Sequence, residues 1–209
     1  MSRGGPPFSR ELAEVRRAAL IEAAVASLAE RGVAAASVRD VAARAGVSPG
    51  LIGHHFGGFG ALLIQAYQHV VARVDTAIES ALAAAGDDPD RRLRAFLEAS
   101  FQPSIVDHDL LSAWLGFWGL VRSDPDAAAV HAETYAAYRA RIEGLLGDVA
   151  RARGLGVDAR QGAIALSAML DGMWLELCLD PATFTAAEAV EIAAGWTEGW
   201  LGGPGSHRG

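Results

Sequence analysis

Residues 37–56, SVRDVAARAGVSPGLIGHHF, spell two short helices joined by a three-residue turn. Ser37 is placed to cap the first helix, and Asp40 three residues on suits its positive end. Val38, Val41, Ala42 and Ala45 then recur at i, i+3, i+4 and i+7, which makes one buried stripe. Gly46 supplies the left-handed residue after the helix, and Val47 can fold back onto its last turn. Ser48 reads as a second cap, with Pro49 at the first helical position, where a missing N–H costs nothing. In the second helix Ile52, His55 and Phe56 point one way, and Gly50, Gly53 and His54 face elsewhere. The segment reads as a helix-turn-helix.

Caps of this kind occur in any αα-hairpin, so the surroundings carry the distinction. A helix over about 9–31 precedes the segment, with Ile21, Ala24, Val25 and Leu28 on one face and Gly32 as its stop. A long helix follows. This arrangement resembles the N-terminal domain of the TetR family of transcriptional repressors. The resemblance covers about residues 16–63 and rests on Gly32, Ser37, Val41, Ala42, Ala45, Gly46, Val47, Ser48, Gly50, His55, Phe56 and Leu62. It implies double-stranded operator DNA as a partner, read by the second helix of the pair. Bases are read by exposed side chains at the start of such a helix, and phosphates are held by hydroxyls, arginines and helix ends. Ser48, Gly50, Leu51 and His54 are therefore the expected base-edge residues, and Ser37, Arg39, Arg44 and His55 the expected phosphate contacts. The chain departs from the family pattern at Gly53, where Tyr is common, and at Phe59, where Lys is common. Gly53 removes a side chain and weakens its helix by roughly 1 kcal/mol relative to Ala.

The rest of the chain reads as all-α, nine helices with short connections. Breaks fall at Gly86 to Pro89, near Pro103, at Ser123 to Pro125, at Gly154 and Gly156, and at Asp180 and Pro181. Thr185 and Glu188 form a capping box for the ninth helix. The organisation expected is a helix-turn-helix domain over 9–58 and a ligand-binding and dimerisation domain over 59–201. Residues 1–8 and 202–209, rich in Gly and Pro, read as disordered tails.

Composition sets bounds on function. At 209 residues and 51% hydrophobic, the chain can bury a sizeable core. No uninterrupted apolar run reaches the ~18 residues of a membrane span. No secretory leader is legible, and the single Cys178 cannot form an internal disulfide, which together fit a cytoplasmic protein without membrane partners. The net charge of −7 is unevenly spread. Residues 1–56 hold seven arginines against five carboxylates, leaving eleven against twenty beyond them. The acidity thus lies away from the helix-turn-helix. No nucleophile with a base and no metal cluster can be assembled, which argues against an enzyme and for neither cofactor nor metal. Asp107, His108 and Asp109 are adjacent at a helix start and do not converge on one ion.

All five Trp lie beyond residue 113. Trp114, Phe117 and Trp118 share one helical face, Asp171 and Trp174 sit at i, i+3, and Tyr135 and Tyr138 lie on the helix between. Aromatic faces attract cations and a carboxylate completes an ammonium cage, though such stripes are also ordinary core. Residues 113–118 (AWLGFW) and 170–175 (LDGMWL), with His54, are similar to the BetI-like branch, the choline-responsive repressors of glycine betaine synthesis. That resemblance implies a small-molecule inducer, a quaternary ammonium such as choline, held by Trp114, Phe117, Trp118, Tyr135, Asp171 and Trp174. Other small apolar or cationic ligands, and an activator on the same fold, stay open. It further implies a homodimer through the last two helices, for which the small residues Gly162, Ala165, Ser167, Ala168 and Gly172 leave room. In such proteins ligand binding tilts the fourth helix and lowers DNA affinity.

Overall fold

The computed structural model describes residues 7–203; the parts of the expected tails at 1–6 and 204–209 lie outside them. Nine α-helices and no strands occur among the described residues: α1 Pro7–Ala35, α2 Val38–Arg44, α3 Gly50–Phe56, α4 Phe59–Ala84, α5 Pro89–Ser100, α6 His108–Val121, α7 Pro125–Arg153, α8 Ala159–Leu179 and α9 Ala186–Leu201. Most boundaries fall within a residue or two of the expected ones. Two differences have local causes. Pro7 and Phe8, expected in the tail, open α1. The helical path resumes for three residues beyond Gly32, whose φ of 66° and ψ of 171° kink the chain.

The chain divides into two compact units. The first runs to Val71 and adds Asp109–Val130; the second comprises Ala72–His108 and the chain from His131 onward. The division falls inside α4, at Val71 and Ala72, and not at the 58/59 boundary read from sequence, where α4 begins; α6 from Asp109 onward belongs to the first unit. Helices α4 and α7 each pass from one unit into the other.

In the first unit, Leu20, Ala23 and Ala24 of α1 pack with Val41 and Ala42 of α2, Ile52 of α3, and Leu62 and Ala66 of α4. Ile21 and Val25, expected in the stripe of α1, flank it half-buried, and Leu20, Ala24 and Leu28 form its centre. A neighbouring cluster of Tyr67, Phe117 and Ala127 extends this core. In the second unit, Ile78, Leu82, Phe96, Leu97, Ile142, Leu146, Val149, Leu166, Leu170, Val190 and Leu201 interlock helices α4, α5, α7, α8 and α9. Arg153 of α7 pairs with Asp90 of α5 and Glu198 of α9, so ion pairs rim the same contacts. Among the described residues, α8 alone is long and apolar enough to cross a membrane by composition. Here it packs Ala163, Leu166, Leu170 and Leu177 into the second core.

Candidate DNA-reading helix and candidate ligand residues

The turn between α2 and α3 forms as the sequence dictates. Ser37 is extended and its Oγ accepts the Asp40 amide at 3.2 Å. Gly46 takes φ 65°, and the Val47 amide reaches back to the Ala42 carbonyl at 3.0 Å, closing α2 in a left-handed cap. Val47 packs on the first core. At the second cap Pro49 is helical, as expected of a first helical position, and the Leu51 and Ile52 amides reach the Ser48 and Pro49 carbonyls, but no side chain caps α3.

Ile52 is buried and His55 and Phe56 are half-buried, whereas Ser48, Gly50, Gly53 and His54 are exposed and Leu51 is half-buried. The face expected at the base edges is therefore open. Ser37 and Arg39, at the start of α2, are exposed as well. Arg44 is engaged: its guanidinium forks onto both carboxylate oxygens of Glu30, and its Nε donates to Asp40 at 3.3 Å. Asp40 also accepts from the fully buried Ser27 hydroxyl at 2.6 Å and pairs with Arg31 at 3.5 Å. The Ser27 hydrogen bond, above all, holds the Asp40 carboxyl below the usual carboxylate range. For His55, burial first and then His54, Arg16 and Arg17 lower the imidazole pKa. The ties of Ser27 and Glu30 of α1 onto α2 were not legible in the sequence, because their partners lie 13 and 14 positions away in another helix.

The six expected ligand residues divide between the units: Trp114, Phe117 and Trp118 in the first, Tyr135, Asp171 and Trp174 in the second. Phe117 is 1% exposed and stacks on Tyr67, centroids 3.5 Å apart and planes within 3°. Trp114 meets the same Tyr67 edge-on at 5.1 Å. Both rings thus pack on the core. The Trp118 indole nitrogen is buried with no hydrogen-bond partner among the described residues. In the second unit, burial pushes the Asp171 carboxyl up to about 6 against the opposing pull of the Tyr135 phenol and Arg139. Tyr135 stands edge-on to Tyr138 at 6.4 Å and beside His131 at 4.4 Å. Burial, with Asp171 and Tyr135 adding to it, raises the Tyr138 phenol as well. Trp174 is anchored, its Nε1 donating to the Ile105 carbonyl at 2.9 Å. The arrangement in this unit is a half-buried carboxylate beside two phenols, one of which stands next to an imidazole.

A short three-helix head with a glycine-turned helix-turn-helix, continuing into a helical region with a buried acidic and aromatic cluster, defines a helix-turn-helix transcriptional regulator. Residues 20–66 match the model of bacterial regulatory proteins of the tetR family, and residues 89–202 match the BetI-type transcriptional repressor C-terminal model. The chain is 33% identical over 181 residues to the HTH-type transcriptional regulator BetI of Burkholderia cenocepacia, covering 86% of this chain and 91% of that one. It superposes on a putative transcriptional regulator from Pseudomonas aeruginosa PAO1 with TM-score 0.86 and 45% identity, over 94% and 95% of the two chains. A putative regulator from Saccharomonospora viridis, crystallised in complex with choline, shares the fold at TM-score 0.74 and 22% identity, over 87% and 95% of the chains. The protein belongs to the TetR family of transcriptional regulators, with a BetI-type C-terminal region. The named relatives are regulators of transcription, not enzymes.

Proposed function

We propose that the protein is a cytoplasmic, homodimeric repressor that binds operator DNA through α3 of each subunit and is released by a small cationic ligand. The observation that carries the ligand class is the half-buried Asp171 carboxylate, its pKa raised by burial, beside Tyr135 and Tyr138. A partly desolvated carboxylate beside aromatic side chains favours a weakly hydrated cation, and a quaternary ammonium such as choline is the simplest one. Trp174, fixed by its bond to Ile105, is proposed as part of the same ligand environment. Trp114 and Phe117 are supported as core rings more than as ligand contacts, and Trp118 offers its unpartnered indole N–H to an acceptor-bearing ligand.

The DNA side of the proposal rests on the open face of α3, with Ser48, Gly50, Leu51 and His54 as base-edge residues and Ser37, Arg39 and His55 beside them. In a dimer, two such helices would read half-sites in successive major grooves, about 34 Å apart. The dimer itself is supported by a face of α8 and α9 that one chain leaves uncovered. Ile164, Leu179 and Ile192 are 46%, 60% and 53% exposed, and Ala165, Ala168, Gly172, Gly195 and Gly199 are exposed around them. Large apolar side chains amid small residues suit a second copy of the same helices. The proposed mechanism is a shift in population. A ligand that favours the DNA-free state lowers operator affinity, and by linkage DNA lowers ligand affinity by the same factor.

Isothermal titration with choline, betaine aldehyde and tetramethylammonium tests the ligand class. Saturable binding that Asp171→Asn removes supports it. Binding that survives in the variant, or appears only with uncharged apolar ligands, overturns the cation reading and leaves the regulator standing.

A further inference from the structure

We infer that Arg17 of α1 is the positioning residue of the reading helix, clamping the C-terminal end of α3 to α1 and α4. The inference rests on the proposed role of α3 in reading DNA. Arg17 Nη1 donates to the His55 carbonyl at 3.0 Å, and Nη2 donates to Gln65 Oε1 of α4 at 2.9 Å. Its guanidinium carbon stands 4.6 Å from the centre of the Phe56 ring. Gln65 is itself held, donating to Gln68 at 3.0 Å. One side chain therefore touches the last two residues of α3 and fixes them to two long helices.

The need for such a clamp follows from α3 itself. Seven residues are too few for an autonomous helix, and Gly50 and Gly53 weaken it further. Its N-terminus has no side-chain cap, and beyond its C-terminus come Gly57, at φ 79°, and Gly58. The last carbonyls of a helix lack intrahelical partners. Gly57 N–H satisfies the Gly53 carbonyl at 2.9 Å, and Arg17 satisfies that of His55 with a charged donor, the stronger kind of hydrogen bond. A cation at that end also suits the helix dipole. Gln65 and the face of Phe56 then set the guanidinium in one plane, which a lysine ammonium could not reproduce.

The test compares wild type with Arg17→Met, Arg17→Lys and Gln65→Ala as full-length proteins. Binding is measured by fluorescence anisotropy on a duplex selected by wild type from a random pool, at several salt concentrations. Arg17→Met is expected to weaken binding about ten- to hundredfold, the range for losing a charged hydrogen bond, with the slope of log K against log salt unchanged. Arg17→Lys should recover little, and Gln65→Ala should lose less than Arg17→Met. A slope shallower by about 0.9 would make Arg17 a phosphate contact instead, and unchanged affinity would make it idle; either overturns the inference. Amide hydrogen exchange supplies a readout independent of DNA. Residues 50–57 should lose protection in Arg17→Met while the second-unit core around Leu146 keeps its own. Equal protection of α3 in both proteins overturns the clamp. If wild type selects no duplex, the proposed role of α3 fails, and exchange alone decides whether Arg17 holds the helix.

Discussion

Ser27, fully buried on α1, donates its hydroxyl to Asp40 of α2 at 2.6 Å, a tie between the first helix of the helix-turn-helix and the helix before it. Ser27→Ala leaves Asp40 without its best donor and is expected to lower the melting temperature by a few degrees. The effect should be pH-dependent. Asp40 is held below the usual carboxylate range chiefly by Ser27, so the bond stabilises the fold above the unfolded pKa and is lost as pH falls through the folded one. Thermal melts of wild type and variant should therefore differ at pH 7 and converge in acid. A constant gap would assign the loss to packing alone.

Asp171 titrates in the opposite sense. Burial raises its pKa from the ordinary aspartate value to about 6, so the folded state holds its proton more tightly than the unfolded chain. The ligand-free fold is fully stable with respect to this group below the unfolded pKa and loses stability as pH rises through about 6. At pH 8 the deficit is on the order of 3 kcal/mol at most. Asp171→Asn should accordingly melt higher than wild type at pH 8, with the gap shrinking toward pH 4. Cation affinity of wild type should fall as pH drops below about 6. A variant that melts lower at every pH would show that the carboxylate is a structural hydrogen-bond acceptor first.

Gly162 of α8 faces the Trp200 ring so closely that a Cβ there would stand 2.6 Å from its nearest atom. Two effects compete in Gly162→Ala. Helix propensity favours Ala by about 1 kcal/mol, and overpacking costs about 1–3 kcal/mol. Trp200 can yield only by leaving its stack on Trp196, 6.2 Å away, so overpacking should win and the melting temperature should fall. A rise would mean that Trp200 moves freely.

The proposed dimer face gives a fourth expectation. Ile192→Arg puts a charge on exposed α9 without touching either core, so the fold should survive while the dimer dissociates. Sedimentation at micromolar concentration, with circular dichroism as control, checks this. An unchanged dimer would place the interface elsewhere.

The nine helices and their stops were legible because caps, breakers and the 3.6-residue period are local signals. Ser37, Gly46, Thr185 and Glu188 do in the structure what their positions announce. At Ser48 the position was right but the side chain was not used: Pro49 is helical as announced, and the first-turn amides found backbone carbonyls. The open face of α3 could be read from Ile52, His55 and Phe56. What holds that face could not, since Arg17, Ser27 and Glu30 meet their partners only through tertiary folding. The aromatics of α6 and α8 announced themselves by spacing, but spacing is the same for a ring that stacks on Tyr67 and one that faces a ligand. Only burial and hydrogen bonding separate Phe117, stacked on Tyr67, from Trp174, tied to the Ile105 carbonyl.

The most direct test of the central claim is operator binding with and without a quaternary ammonium. Anisotropy of the selected duplex is measured against protein at fixed salt, first alone and then with saturating choline. The account predicts tight specific binding that choline weakens by at least about tenfold, an ordinary allosteric coupling. Binding that is equally tight in the presence of bound choline would contradict it.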